Sequence, residues 1–179
     1  ELLLLRHAKS DWKDSNLGDF DRPLAPRGRR AARRMGRYLA EEALIPDLIL
    51  CSPARRAVET LELLLTALAS APETGYLKTL YLAPPSRLLA VLRRQGPDHG
   101  RILLVAHNPG LHHLALALAD RQGRAGETGR RLAEKFPTAG LARFQVESWP
   151  RLGLSGTRLT DFVRPRDLDE DGGAEDGGV

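Results

Sequence analysis

Residues 2–10 read Leu-Leu-Leu-Leu-Arg-His-Ala-Lys-Ser. Four apolar residues in succession, with no polar alternation, describe a strand buried on both faces, and such strands belong to parallel sheets covered by helices. A basic pair stands at the strand's carboxyl end. Working outward, apolar runs recur at 47–51 (DLILC), more weakly at 76–80, and at 101–106 (RILLVA). Segments of helical period separate them. Residues 28–44 place Ala31, Met35, Leu39 and Ala43 on one face and Arg30, Arg33, Arg34 and Arg37 mostly on the other. A solvated face with an Arg37–Glu41 pair accounts for those arginines. Residues 53–69 turn Ala57, Leu61, Leu64, Leu65 and Leu68 inward, and 86–94 and 109–119 read as two further helices.

Strands alternating with helices over short connections predict an α/β fold wound by right-handed crossovers. Residues 141–147 (LARFQVE) alternate with period two, which predicts a half-exposed antiparallel edge strand, and 158–163 reads as a last strand. The stretch 120–138 is rich in Gly and Arg, with a short helix expected at 130–135. The expected architecture is a single-domain three-layer sandwich: a central, mostly parallel sheet with an antiparallel edge strand and helices on both faces. The domain is expected to span 1–166. Residues 167–179 carry six carboxylates, four glycines and no basic residue, and are expected to form a flexible acidic tail.

In open α/β sheets, ligands bind beyond the carboxyl ends of the strands. Arg6-His7-Ala8-Lys9-Ser10 follows the first strand, Ser52-Pro53-Ala54-Arg55-Arg56 the second and His107-Asn108-Pro109-Gly110 the fourth. Ser52 suits an N-cap and Pro53 a first helical residue. Two arginines then stand in the first turn, where the helix dipole disfavours cations by about 0.3–1 kcal/mol each. Guanidiniums placed beside free backbone N–H groups build an anion site. Neighbouring guanidiniums also disfavour an imidazolium, so His7 is expected to stay neutral near pH 7 and keep a nucleophilic nitrogen. A neutral imidazole facing an Arg-clamped phosphoryl group suits in-line attack, with the arginine forks neutralising the equatorial oxygens. This chemistry calls for no cofactor and no metal. His112 and His113, on the helix after His107, are explained by packing and a helix surface rather than as metal ligands.

Composition sets the limits. The chain has 179 residues, 42% hydrophobic and 28% charged, which suits one domain with a full core. No apolar run approaches the roughly 20 residues of a bilayer span, so no membrane partner is expected. A single cysteine, Cys51, forms no internal disulfide, and with no signal-peptide pattern this points to a reducing, cytoplasmic setting. The opening on Glu1, already inside a strand, points to residues missing before it. Net charge is +4, but setting the tail aside leaves 27 basic against 17 acidic groups, a body of about +10. That body suits an anionic partner. A nucleic-acid partner is disfavoured, because stacking aromatics are scarce and no recognition motif is present, although the basic segment 27–37 argues for one.

Three segments together carry a resemblance: Leu-Arg6-His7-Ala8, then Ser52-Pro53-x-x-Arg56-Ala57-x-x-Thr60, then Val-Ala-His107-Asn-Pro. They resemble the histidine phosphatase superfamily, and more closely its short SixA-type phosphohistidine phosphatases. Asp21-Arg22-Pro23-Leu24-x-x-x-Gly28 and Lys135-Phe136-Pro137-Thr138-Ala139 fit the same branch, so the likeness runs over residues 2–163. The resemblance implies a phosphoglycerate mutase-like fold. It implies His7 as phosphoryl acceptor, Arg6, Arg56 and His107 as the phosphate pocket, and a phosphate or sulfate anion as its ligand. Two departures stand out. Where larger relatives have a glycine and an asparagine, this chain has Ala8 and Lys13. Where they carry a glutamate acid, this chain reads Tyr81-Leu82-Ala83-Pro84-Pro85. An ester needs a proton delivered to its alkoxide, whereas a phosphohistidine leaves as imidazole and demands less.

The first loop, with Asp11, Asp14, Asp19 and Asp21, is the other source of an acid, and Asp21 is the expected one. Pairing with Arg22 or capping the turn is its competing role. Lys13 is expected to reach substrate phosphate, Arg22 to line the rim, and Trp12 and Phe20 to form the floor or lip. The expected activity is a metal-independent phosphatase acting on a protein phosphohistidine, admitted by an open cleft. A phosphatase of a small phosphorylated metabolite and a non-catalytic phosphate-binding module are the alternatives.

Overall fold

The computed structural model describes residues 1–70, 72–119 and 126–168. In chain order these form β1 (Leu2–Arg6), α1 (Pro26–Glu41), β2 (Leu48–Cys51), α2 (Arg55–Leu65), β3 (Glu73–Tyr76), α3 (Pro85–Gln95), β4 (Ile102–Ala106), α4 (Gly110–Leu118), α5 (Glu127–Glu134), β5 (Leu141–Val146) and β6 (Thr157–Val163). The strands make one sheet in the order β3-β2-β4-β1-β5-β6. Its first four members are parallel, whereas β5 runs antiparallel to both β1 and β6.

The unbroken leucines of β1 serve two cores at once. Leu2 and Leu4 face α3, α4 and α5, where Leu88, Leu92, Leu111, Leu114 and Leu132 are buried. Leu3 and Leu5 face Met35 and Leu39 of α1 and Ala57, Leu61 and Leu64 of α2. Cutting any of these leucines to alanine costs about 2–5 kcal/mol. The expected three-layer α/β sandwich is the observed one.

Details differ for identifiable reasons. The third strand lies at 73–76 rather than 76–80, because Lys78–Leu80 form a 3-10 turn that drops Leu80 into the core. The edge belongs to β6, so β5 lies one place in from it, despite its alternating pattern. Helix α1 buries Gly28, Ala32, Met35, Gly36 and Leu39, a face rotated from the expected Ala31 and Ala43. Two glycines set that rotation. A Cβ on Gly28 would lie 2.2 Å from the Lys9 carbonyl oxygen, and one on Gly36 would lie 2.4 Å from that of Leu64. The short helix expected at 130–135 is α5, which begins three residues earlier. Asp167, expected to open the tail, closes a 3-10 turn in which Arg164 and Arg131 hold its carboxylate. The rest of the acidic segment, 169–179, lies outside the described residues.

The register positions the site. Leu5, Val105 and Cys51 stand in one row across β1, β4 and β2. The ladder continues one step beyond the strands, with the His7 N–H donating to Ala106 O (3.1 Å) and the Ser52 N–H to Val105 O (3.0 Å). His7, His107 and Ser52 therefore leave three neighbouring strands at the same level.

Candidate active site

The two histidines meet above that row, with ring centroids 5.0 Å apart. Both are buried, His7 at 8% exposure and His107 at 1%. The His7 Nδ1 lies 2.8 Å from the carbonyl oxygen of Ala8, an acceptor, so Nδ1 carries the proton. The lone pair is thereby left on Nε2, where it accepts from the Nε–H of Arg56 at 3.3 Å. His107 is held the other way round. Its Nδ1 faces Nη2 of Arg56 at 3.3 Å, and its Nε2 lies 2.7 Å from the Ser52 hydroxyl. Both imidazoles stay neutral at pH 7. Burial is the leading cause, lowering His7 to about 4 and His107 to about 3, and the guanidiniums expected to dominate add less.

Arg56 is the hub. It sits in the first turn of α2, buried to 4% exposure. Besides the two histidines, its Nη1 donates to the backbone oxygen of Asp19 and its Nη2 to the Asp19 carboxylate at 2.9 Å. Helix α2 begins at Arg55 with Ala54 as its N-cap, so Ser52 is not the cap; its hydroxyl instead accepts from the Ala54 N–H at 3.4 Å and meets His107. Thr60, one turn beyond Arg56, receives the Ala8 N–H at 2.9 Å and donates to the Arg56 carbonyl at 2.5 Å. That hydroxyl couples the loop carrying His7 to the helix carrying Arg56. Arg6 donates through Nη1 to Phe136 O (2.9 Å), its Nε is buried without an acceptor, and burial lowers its pKa.

The loop after β1 closes over the pair. Asp19 accepts from the Tyr81 hydroxyl at 2.7 Å, Phe20 packs edge-on against Tyr81, and Tyr81 packs edge-on against His107. Asp19, Phe20 and Tyr81 thus form one wall beside His107 while staying partly exposed to solvent. The carboxylate at the centre is Asp19 rather than Asp21. Asp21 lies exposed in the same 3-10 turn, and no hydrogen bond joins it to the histidines or Arg56 among the described residues. The Tyr81 hydrogen bond, followed by Arg56, holds the Asp19 carboxyl below its ordinary range, so it is ionised. Arg22 stacks on the Trp12 ring, 3.4 Å from its centroid, and stands 3.9 Å from Asp19. Lys13 is exposed on the loop beyond, outside this cluster. Sequence reasoning named Asp19 among four loop carboxylates but preferred Asp21, and missed the role of Tyr81 and the hydroxyl roles of Ser52 and Thr60. Thr60 already stood in the arginine motif, one helical turn from Arg56.

Chemically, this is a buried neutral imidazole whose Nε2 lone pair faces a guanidinium, with a second guanidinium, that of Arg6, close by. A family profile of the histidine phosphatase superfamily (branch 1) matches residues 2–75. An uncharacterised protein of Mycobacterium tuberculosis is 37% identical over 163 residues, covering 90% of this chain and all of that protein. Among solved structures, a candidate phosphohistidine phosphatase SixA of Agrobacterium tumefaciens superposes with a TM-score of 0.77 at 29% identity, over 92% of this chain and 97% of that one. The protein histidine phosphatase SixA complexed with tungstate shares the fold, with a TM-score of 0.76 at 21% identity over 94% of this chain and 99% of that one.

Proposed function

The chain belongs to the histidine phosphatase superfamily, and we propose that it is a phosphatase working through a phosphohistidine on His7, with protein phosphohistidine as its substrate. One observation carries this reading: the Nδ1–H of His7 is committed to Ala8 O, which leaves the Nε2 lone pair facing Arg56. In the first step Nε2 attacks phosphorus and the bond to the leaving group breaks. In the second, water attacks phosphorus, the P–Nε2 bond breaks, and inorganic phosphate departs with His7 regenerated. Arg6 and Arg56 neutralise charge on the equatorial oxygens in both steps.

His107 must donate a proton to hold the phosphoryl group, yet its Nδ1 accepts from Arg56. Ser52 resolves this, because a hydroxyl can accept from Nε2–H or donate to bare Nε2. A tautomer exchange then presents Nδ1–H to the phosphoryl oxygen with no buried charge created.

The leaving group decides the substrate class. An ionised Asp19 is a poor proton donor, and Asp21 stands away from the cluster. A phosphoimidazole protonated on its other ring nitrogen leaves as neutral imidazole without a donor from the enzyme, whereas an alkoxide needs one. A solved SixA of the same fold is complexed with tungstate, a phosphate analogue, which fits a phosphorylated substrate.

The test is single-turnover trapping with a phosphohistidine-bearing protein and, separately, p-nitrophenyl phosphate. Acid-labile, base-stable label on His7 that chases to free phosphate is expected, faster from the phosphoprotein and absent in His7→Ala. Phosphate binding with no label from either donor would move the reading to a non-catalytic phosphate-binding module. Faster labelling from the ester would move it to a small phosphorylated metabolite.

A further inference from the structure

A second basic region lies on the other side of segment 136–139 from the catalytic cluster. It is a cavity of about 340 Å³ between α1, α5, residues 137–138 and residues 164–166. Six of its lining side chains are cationic: Lys9, Arg27, Arg131, Lys135, Arg164 and Arg166; Glu134 is the single carboxylate among them.

The cations of the cavity outnumber the carboxylates that pair with them. Elsewhere, one carboxylate serves two guanidiniums: Glu59 pairs with Arg29 and Arg55, and Glu1 with Arg101 and Arg143. In the cavity, Asp167 serves Arg131 and Arg164, but Lys9, Arg27, Lys135 and Arg166 have no carboxylate partner among the described residues. The Nε of Arg131 is also buried without an acceptor. Like charges gathered around one concavity raise the energy of the folded state and focus a positive potential into it. The volume is that of a small-molecule pocket, and Ala31, Pro137 and Pro165 give it apolar walls.

We propose that this cavity is a binding site for a small polyanion of the polyphosphate or multiply phosphorylated class, filled independently of the catalytic pocket. Guanidinium forks and ammonium groups from four separate segments suit a ligand that presents several phosphate oxygens in different directions. The wall it shares with the site is short: Phe136 O accepts from Arg6, and the Ala139 N–H donates to the carbonyl oxygens of Arg6 and His7.

The experiment is calorimetric titration of the full chain with tripolyphosphate, first alone and then with the catalytic pocket saturated with tungstate. One tripolyphosphate per chain is expected to bind with tungstate present. Arg27→Glu combined with Lys135→Glu, both at exposed positions, is expected to weaken that binding at least tenfold. Tungstate affinity and the thermal midpoint of this variant should be unchanged. Mutually exclusive binding would overturn the proposal, showing that the cavity serves the far end of a substrate held at His7. Undiminished tripolyphosphate binding in the double variant would also overturn it. So would binding of a polyglutamate peptide without tripolyphosphate, which would make the cleft a protein-docking surface. Failure of tungstate to bind counts against the phosphatase reading alone.

Discussion

Two basic regions flank segment 136–139, and they hold their charge in opposite ways. In the catalytic cluster, every donor of Arg56 that faces the site has an acceptor at a fixed distance, and both histidines are neutral. In the neighbouring cavity, four cations stand exposed without a carboxylate partner. The first region works by geometry at hydrogen-bond range in a dry environment. The second works by an accumulated field that falls off over roughly a Debye length, about 8 Å at physiological salt. An arginine's job therefore depends on whether its five donors or only its charge are in use.

The sharpest way to break this comparison is to keep the charge and remove the fork. Arg56→Lys retains one cation, but a single ammonium cannot serve His7 Nε2, His107 Nδ1 and the backbone and carboxylate oxygens of Asp19 together. Its kcat/KM is expected to fall about 100-fold. Arg27→Lys in the cavity should change tripolyphosphate affinity less than about twofold, since an exposed charge is conserved. Steady-state kinetics and calorimetry on the two variants measure both numbers. Comparable losses would show that the cavity, too, reads donor geometry.

The cluster was legible in the sequence and the cavity was not, for a physical reason. Continuous apolar runs such as 2–5 and 102–106 announce parallel strands, and parallel strands must end at a common rim. Arg6, His7, Arg56 and His107 could therefore be placed together from positions far apart in the chain. The acid could not be placed in this way. Asp11, Asp14, Asp19 and Asp21 share one irregular loop, and only its closure against Tyr81 singles out Asp19. Strand β3 was misplaced because Leu77 and Leu80 are apolar for the sake of a turn rather than a strand. The cavity draws on residues 9, 27, 131–138 and 164–166, which no periodicity connects. Its cations look in sequence like any solvated arginines.

A smaller effect tests whether the cluster depends on proton geometry as well as charge. Ser52 is fully buried and is the partner of His107 Nε2. Ser52→Ala removes the hydroxyl that allows either tautomer and leaves a buried ring nitrogen unpaired. Loss of one such bond, about 1.4 kcal/mol, corresponds to roughly a tenfold fall in kcat/KM. Ser52→Thr keeps the hydroxyl and should recover most of the activity. Equal losses in both variants would mean that Ser52 fills space rather than orients His107.

The smallest effect separates the two regions by titration. Burial lowers His7 to about 4 and His107 to about 3, whereas an unfolded histidine titrates near 6.5. Between those limits the unfolded chain binds more protons than the folded one, so stability falls as pH falls through this window. Each histidine contributes at most about 1.4 kcal/mol per pH unit. The lowered carboxylates Glu1, Asp19 and Asp167 act on the same side, but in a window below about 4.5, where an unfolded carboxylate takes up its proton. The lowered N-terminal amine contributes alike in wild type and variants, so between about pH 6.5 and 4.5 a change of slope in a His7 variant reports the histidine. Urea unfolding at half-unit pH steps should show the decline in the wild type, about half the slope in His7→Asn, and an unchanged slope in the Arg27→Glu, Lys135→Glu variant. A flat wild-type curve would mean that the buried imidazoles accept protons without cost. It would remove the contrast between a dry catalytic cluster and a wet basic cavity.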